Sequence, residues 1–532
     1  MKLKYGLALN ENQYQELCES CDRVLLAPEV TIERVAISWL HVIREHPIFL
    51  QNYEGLFGPE KNSKYLAKKI VRNLRFKAGW IKQLGRAFHT DARQGCGPVD
   101  NPQGIDVLFV SHLLNASQVG KKDDFYFGNI PSKLHSEKKT SVVALINSSG
   151  SSALSLLNKW NDRTVPRVIL SNSFRILGEL SIYCRLKIES RRLLQLAKKE
   201  AHGLYRSILI RASEEALSGG SHTNLRRAIQ VGELVAKLRP KAIVVTYEGH
   251  AWERVVFAAA RSVCPDIRCV GYQHAALFRL QHSIRRNLAM EYNPDEILTA
   301  GEVFNSQLRR APGLRGIPIN VLGSNRSHIK VTENDENNVH KEKLKYVDQF
   351  SCLVLPEGLP EECHILFDYS LACAKILPKV NFIWRLHPVI EFETLISENP
   401  NLRQLPGNIE LSKRSLDEDV RRCRWALYRG STAIVQAVSA GLRPIYYRNS
   451  TEMTVDPLYG LNAWKRCVES VSEFKHLLED ENEQGTSVSS AEAEIAREYC
   501  NVFYVPFDHT VLVHSVANLS EHPLDRAPTK TN

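Results

Sequence analysis

No apolar run in this 532-residue chain reaches the roughly 18–20 residues needed to cross a bilayer as a helix. The opening stretch, Met1-Lys-Leu-Lys-Tyr-Gly-Leu-Ala-Leu-Asn10, stops being apolar too soon for a secretory signal. Both absences point to a cytoplasmic protein. The Walker pattern Gly-x-x-x-x-Gly-Lys-Ser/Thr is missing, which argues against a P-loop nucleotidase. The CxxC stretch Cys18-Glu-Ser-Cys21 has no second pair at zinc spacing, so it reads as two helix residues. No metal-ligand cluster stands out, and no metal is expected. No repeat of solenoid period and none of the usual nucleic-acid-binding motifs are present.

What is present is ordinary for a globular protein of two or three domains, with 43% hydrophobic and 24% charged residues. The twelve cysteines are scattered, several within apolar runs (Cys264, Cys269, Cys352, Cys373), as reduced buried thiols would be. The formal charge of +10 suits anionic partners, whether nucleotide, lipid head group or acidic glycan.

Residues 1 to about 100 read as a mainly helical region. Within it, the stretch from Lys61 to Arg93 holds ten basic residues against the single acid Asp91, with apolar residues near helical spacing. Such a basic amphipathic helix can lie on an anionic membrane surface, or pack on the body with a solvated basic face. Gly95-Cys-Gly-Pro98 then breaks the chain.

From 101 to 330, short β-type runs alternate with helical patterns. Runs at 105–110, 141–146, 167–170, 241–246, 268–271, 296–299 and 319–322 mostly end in small or polar residues. A long helical segment from Arg175 to Lys237 is expected to break at Gly219-Gly220. Thr332 to Lys345 reads as a linker. A second alternation, 346–520, contains runs at 351–355, 380–386, 424–428 and 445–447. The reading is α/β, with two doubly wound Rossmann-like domains behind a helical N-terminal region.

In such sheets ligands bind beyond the carboxyl ends of the strands. In the second domain Glu357-Gly358, His387-Pro388 and Gly430-Ser431-Thr432 fall at strand ends. Ser431 or Thr432 is expected to cap the following helix, whose first-turn N–H groups favour a phosphate. His387 would face the same phosphate, and Glu357-Gly358 would meet the base or ribose. In blander terms, Ser431 is only a cap, Gly358 only a turn and His387 only a strand-end residue. In the first domain, Glu248 at a strand end has the chemistry to deprotonate a hydroxyl, or it merely complements a helix dipole. His250 and His274 lie nearby in sequence order and would contact an acceptor or a donor carboxylate.

Two such domains with nucleotide signals in the second resemble a GT-B glycosyltransferase. The closer resemblance is to bacterial transferases that use CMP-activated ulosonic acids, sialic acid or Kdo. Those carry His-Pro and Ser-Ser or Ser-Thr motifs at the CMP phosphate, matched in order by His387-Pro388 and Ser431-Thr432. Their acidic-acidic-Gly motif is met only in part by Tyr247-Glu248-Gly249, which has one acid. The run from Tyr247 through Trp252-Glu253 to Gly271-Tyr-Gln-His274 also looks like bacterial surface-carbohydrate biosynthesis proteins. The resemblance spans about residues 105 to 450. It implies a nucleotide-sugar donor as co-substrate rather than a resident cofactor, and catalysis by Glu248 with His274. It also implies a glycan or lipid-linked glycan acceptor; peripheral contact at the inner membrane is expected from the basic Lys61 to Arg93 stretch, and no nucleic acid is expected. A UDP-sugar or CDP-glycerol donor, or a non-catalytic scaffold of a glycan assembly complex, are the alternatives.

Overall fold

The computed structural model describes residues 9–57, 63–88, 95–96, 104–157, 165–327, 350–483 and 490–517. The expected linker and the chain's last ten residues lie outside them. So do the side chains of Lys61, Lys64, Lys68, Lys69 and Arg93.

The first sheet contains β1 (Gly95–Cys96), β2 (Val107–Leu113), β3 (Ser141–Asn147), β4 (Arg167–Leu170), β5 (Ala242–Thr246), β6 (Arg268–Gln273), β7 (Glu296–Thr299) and β8 (Ile319–Val321). Their order is β1-β4-β3-β2-β5-β6-β7-β8. The pairings are parallel except that of the two-residue β1 with β4. The second sheet contains β9 (Ser351–Leu355), β10 (Asn381–Trp384), β11 (Ile409–Leu411), β12 (Trp425–Tyr428), β13 (Arg443–Tyr447) and β14 (Arg466–Val468), all parallel, in the order β11-β10-β9-β12-β13-β14. Two doubly wound Rossmann-like domains are therefore present, as the alternating patterns predicted.

Burial explains why these strands read as continuous apolar runs. On β2, Leu108 and Val110 enter one core, while Val107 and Phe109 enter another on the opposite face. β3 and β5 divide the same way, and in the second sheet Leu353 and Leu355 separate from Cys352 and Val354. A strand covered on both faces has no position left for a polar side chain. Each buried aliphatic contributes about 1.5–3 kcal/mol. The core holding Leu108 and Val110 also holds Leu353 and Leu355, so one apolar cluster runs through both domains.

The N-terminal region is helical, as predicted, and Cys18 and Cys21 are buried in the helix Glu11–Leu25 as free thiols. The segment after β4 departs from expectation. It forms three helices, Ile176–Lys199, Leu204–Glu215 and Gly219–Leu238. The first break falls at Gly203, whose φ of 155° suits glycine. Gly219-Gly220 opens the third helix instead of breaking one, because Ser218 caps it by accepting from the Ser221 N–H. The chain's end also crosses between the domains. Helix Ser490–Asn501 packs on helix Ala433–Ser439, and the strand-like 502–508 then bonds to the first domain through Val505 N to Ala300 O and Asp508 N to Leu322 O. Leu512 of the last described helix, His509–Ala517, lies in that domain's core.

Candidate active site

Each sheet has one point where the strand order reverses, β2/β5 in the first and β9/β12 in the second. Adjacent chains leave such a point in opposite directions and open a crevice at the strands' carboxyl ends. His112 lies within β2 at its carboxyl end, and Glu248 and His250 lie beyond β5. Beyond β9 and β12 lie Glu357-Gly358 and Arg429 to Thr432.

In the first domain, the turn after β5 is held by Glu253, whose Oε2 accepts from the N–H groups of Glu248 (3.0 Å) and His250 (2.8 Å). This places Glu248 between two imidazoles. Its Oε1 is 3.6 Å from His274 Nε2 and its Oε2 is 3.6 Å from His250 Nε2. Burial alone would raise the Glu248 carboxyl. The His250 hydrogen bond and the charges of His274, His250 and Arg44 outweigh it and hold the group at about 2. Burial lowers His274 to about 4 against the pull of Glu248. A neutral imidazole therefore sits beside a carboxylate at neutral pH. Glu253, fully enclosed, is pushed up to about 7, chiefly by burial. The second acid that the linear motif lacks is thus close in space, but it serves as a backbone acceptor.

Aromatic groups close this side. The His274 ring meets Tyr126 edge-on at 4.4 Å, and His112 lies edge-on to Trp252 at 5.1 Å. Burial brings His112 down to about 3. His112, Tyr126 and Trp252 were not singled out as site residues from the sequence. Only the strand-end position of His112 could have marked it.

In the second domain the predicted residues converge. A Cβ on Gly358 would stand 2.8 Å from His387 Nδ1, so the imidazole lies directly on that glycine. A Cβ on Gly430 would overlap the Glu357 carboxylate, so the turns after β9 and β12 touch. The Val389 N–H donates to His387 Nδ1 at 3.4 Å, which leaves the ring proton on Nε2. Burial lowers the His387 pKa and keeps that ring neutral. Pro388 makes the turn after His387. One expectation fails here. Thr432 stands at the N-cap of Ala433–Ser439 with helical backbone angles (φ −75°, ψ −9°), and no side chain caps this helix. Because the cap is already wound into the helix, its hydroxyl does not reach forward to the N2 or N3 amide. Ser431 is buried and Thr432 half-buried.

A third component of the site carries no motif or periodicity. Arg44 and His46, from the N-terminal region, reach the second domain's turn. Arg44 Nη2 bonds Glu357 Oε1 at 2.9 Å, and its guanidinium lies over Phe49 and Phe278. His46 Nε2 stands 3.4 Å from Glu357 Oε2 and 3.3 Å from Glu362 Oε1. Glu362 then pairs with Arg429 (2.7 Å), and Arg429 with Glu452 (2.6 Å). The chain alternates Arg44, Glu357, His46, Glu362, Arg429, Glu452 and sums to zero with His46 protonated. Burial opposes that protonation, but the bonds to Glu357 and Glu362 and their charges raise the His46 pKa. Glu362 is held at about 2, because Arg429 and His46 outweigh its burial.

The ligand atoms of His46, Glu357 and Glu362 lie within 4.8 Å of one another, close enough for one cation. A dication would have to displace the His46 proton and Arg44's share of Glu357, leaving a buried excess of positive charge. The donor set suits the proton better than a metal. Among the described residues no other cluster of this kind occurs.

No family model matches the chain, and no curated protein matches it. It is similar in structure to a glycosyltransferase from Rickettsia africae, at 10% identity and TM-score 0.45, over 79% of this chain and 100% of that one. It is also similar to UDP-GlcNAc 2-epimerase from Neisseria meningitidis bound to UDP-GlcNAc, at 13% identity and TM-score 0.41, over 78% and 100%. A third, Anabaena Alr3699/HepE in complex with UDP-glucose, shows 14% identity and TM-score 0.40, over 78% and 98%. At this distance any chemistry must be read from the residues of this chain.

Proposed function

We propose that this chain is a glycosyltransferase that takes a sugar from a nucleotide donor held by the second domain. The observation that carries the reading is Arg44. It bonds Glu357 of the second domain at 2.9 Å, and its guanidinium lies 4.5 Å over Phe278, which follows β6 of the first. In this reading the two switch-point crevices open on one shared space, where a donor on one side meets an acceptor on the other.

In this reading Glu357 and Gly358 meet the nucleoside, and the backbone of Gly430 and Thr432, the Ser431 hydroxyl and His387 Nε2–H meet the phosphate. The acceptor hydroxyl lies between Glu248 and His274. Its oxygen attacks the anomeric carbon, the bond from that carbon to the phosphate oxygen breaks, and the nucleotide leaves with the electron pair. The acceptor proton passes to neutral His274, whose imidazolium is stabilised by ionised Glu248 at 3.6 Å. Glu248 thus works beside His274 as one half of a pair, its carboxylate 3.6 Å from the imidazole.

The order of His387-Pro388 and Ser431-Thr432 supports a CMP-linked ulosonic acid as the donor. Arg429 and Arg44 are both committed to carboxylates, and Arg326 is the cation whose charge acts on His387. A UDP-sugar remains the alternative donor, and a surface glycan, free or lipid-linked, is the acceptor class.

The test is to separate turnover from binding. Glu248→Gln keeps size and polarity, and should lower turnover on the order of 10²–10⁴-fold while leaving CMP affinity intact. Near-normal turnover in that variant, or equal loss of CMP binding, would overturn the assignment.

A further inference from the structure

Helix Ser63–Phe88 contains no acidic residue. Its described side chains, from Ile70 onward, divide into three stripes. One packs on the body: Arg72 pairs with Glu214, Trp80 stacks on Tyr183 at 4.6 Å, and Gln83 donates to Asn172 O at 3.2 Å. Ile70, Leu74, Ile81 and Phe88 form a second stripe, turned about 140° from the first at 3.6 residues per turn. They are 53%, 60%, 68% and 72% exposed. Exposed Arg75, Lys82 and Arg86 form the third.

The helix it packs on, Ile176–Lys199, repeats the pattern. Both of its carboxylates, Glu179 and Glu189, face inward and are buried. Leu177 is 81% exposed and Ile188 50%. Lys187, Arg191 and Lys198 are exposed as well. Every exposed charge described on these two helices is therefore a cation, and exposed large apolar side chains stand among them.

We propose that this two-helix platform docks the protein on an anionic lipid bilayer, apolar stripes in the interface and basic stripes on the head groups. The idea stands apart from the transferase reading and does not depend on it. A soluble monomer seldom leaves so many large apolar side chains in water without a partner for them. A second copy of the same platform would set cations against cations. A nucleic acid would satisfy the cations but leave Ile70, Leu74, Ile81 and Phe88 in water. An acidic interface with an acyl interior satisfies both.

The experiment is sedimentation of the full chain with phosphatidylcholine vesicles, with and without phosphatidylglycerol, at about 0.05 M and about 0.5 M salt. Binding is expected only with phosphatidylglycerol and should weaken at the higher salt. Leu74→Ser/Ile81→Ser/Phe88→Ser and, separately, Arg75→Gln/Lys77→Gln/Lys82→Gln, where Lys77 is likewise exposed, should each lower the partition coefficient roughly tenfold or more. All six side chains are exposed, so both variants should keep the parent's melting temperature. Leu177→Ser alone gives an independent reading on the second helix. The proposal is overturned by absent vesicle binding, or by binding that both triple variants retain. A concentration-dependent dimer that the apolar variant dissolves, or binding to a polyanion such as heparin without binding to vesicles, would overturn it equally.

Discussion

His46 ties the N-terminal region to the second domain, and its replacement should be costly in a pH-dependent way. Its Nε2 stands 3.4 Å and 3.3 Å from carboxylates of Glu357 and Glu362. Each pair has a gross attraction of about 5 kcal/mol at an effective dielectric of 20. Desolvation cancels much of that, but removing one member of a buried network leaves the others uncompensated, which costs about 3–5 kcal/mol. His46→Gln should therefore lower the melting temperature at pH 6 by roughly 6 °C or more, taking a domain-sized unfolding unit. The sign with pH follows from the raised pKa of His46. A group with a raised folded pKa gives its full stabilisation below the ordinary value of 6.5 and loses it as pH climbs through the folded value. The gap between parent and variant should thus be widest near pH 6 and narrow by pH 9.5. Differential scanning calorimetry across that range measures it. Equal melting temperatures at pH 6, or a gap that does not change with pH, would refute the alternating network.

Two further outcomes follow from the same cleft. Gly430→Ala forces a methyl group into the Glu357 carboxylate, so it should weaken nucleotide binding roughly tenfold by displacing the β9 turn, read by calorimetric titration; unchanged affinity would mean the two turns do not form one site. Glu362 and Glu248, both held at about 2, stabilise the fold above the ordinary carboxyl value of 4.5. That contribution is lost as pH falls toward 2, so thermal stability should decline between pH 5 and pH 2, and a flat profile would contradict it.

The legibility of this chain in its sequence follows physical lines. Strands covered on both faces are uniformly apolar, so β2, β3, β5 and β9 stand out, and residues ending them fall at the cleft without further information. Glu248, Glu357, Gly358, His387 and Gly430 were placed at strand ends that way. β11 and β14 escaped because each has only three residues, of which none in β11 and one in β14 is fully buried. The helix break near 200 was missed because Gly203 acts through a backbone angle that its neighbours do not signal. Arg44 and His46 were invisible for a different reason. Arg44 meets Glu357 across 313 residues of chain, and no periodicity or motif carries information over such a separation. The cap expected of Ser431 or Thr432 failed because the choice between a forward-reaching hydroxyl and a helical one depends on local angles.

The central claim is that the second domain holds a nucleotide at His387 and the Gly430-Ser431-Thr432 turn. Titration calorimetry of the parent with CMP, CDP and UDP, repeated on His387→Ala and Ser431→Ala, tests it most directly. CMP is expected to bind, and each variant should weaken it by about 1–3 kcal/mol without loss of fold. Binding of UDP alone would replace the donor, and no heat with any nucleotide, or CMP affinity untouched in both variants, would contradict the site itself.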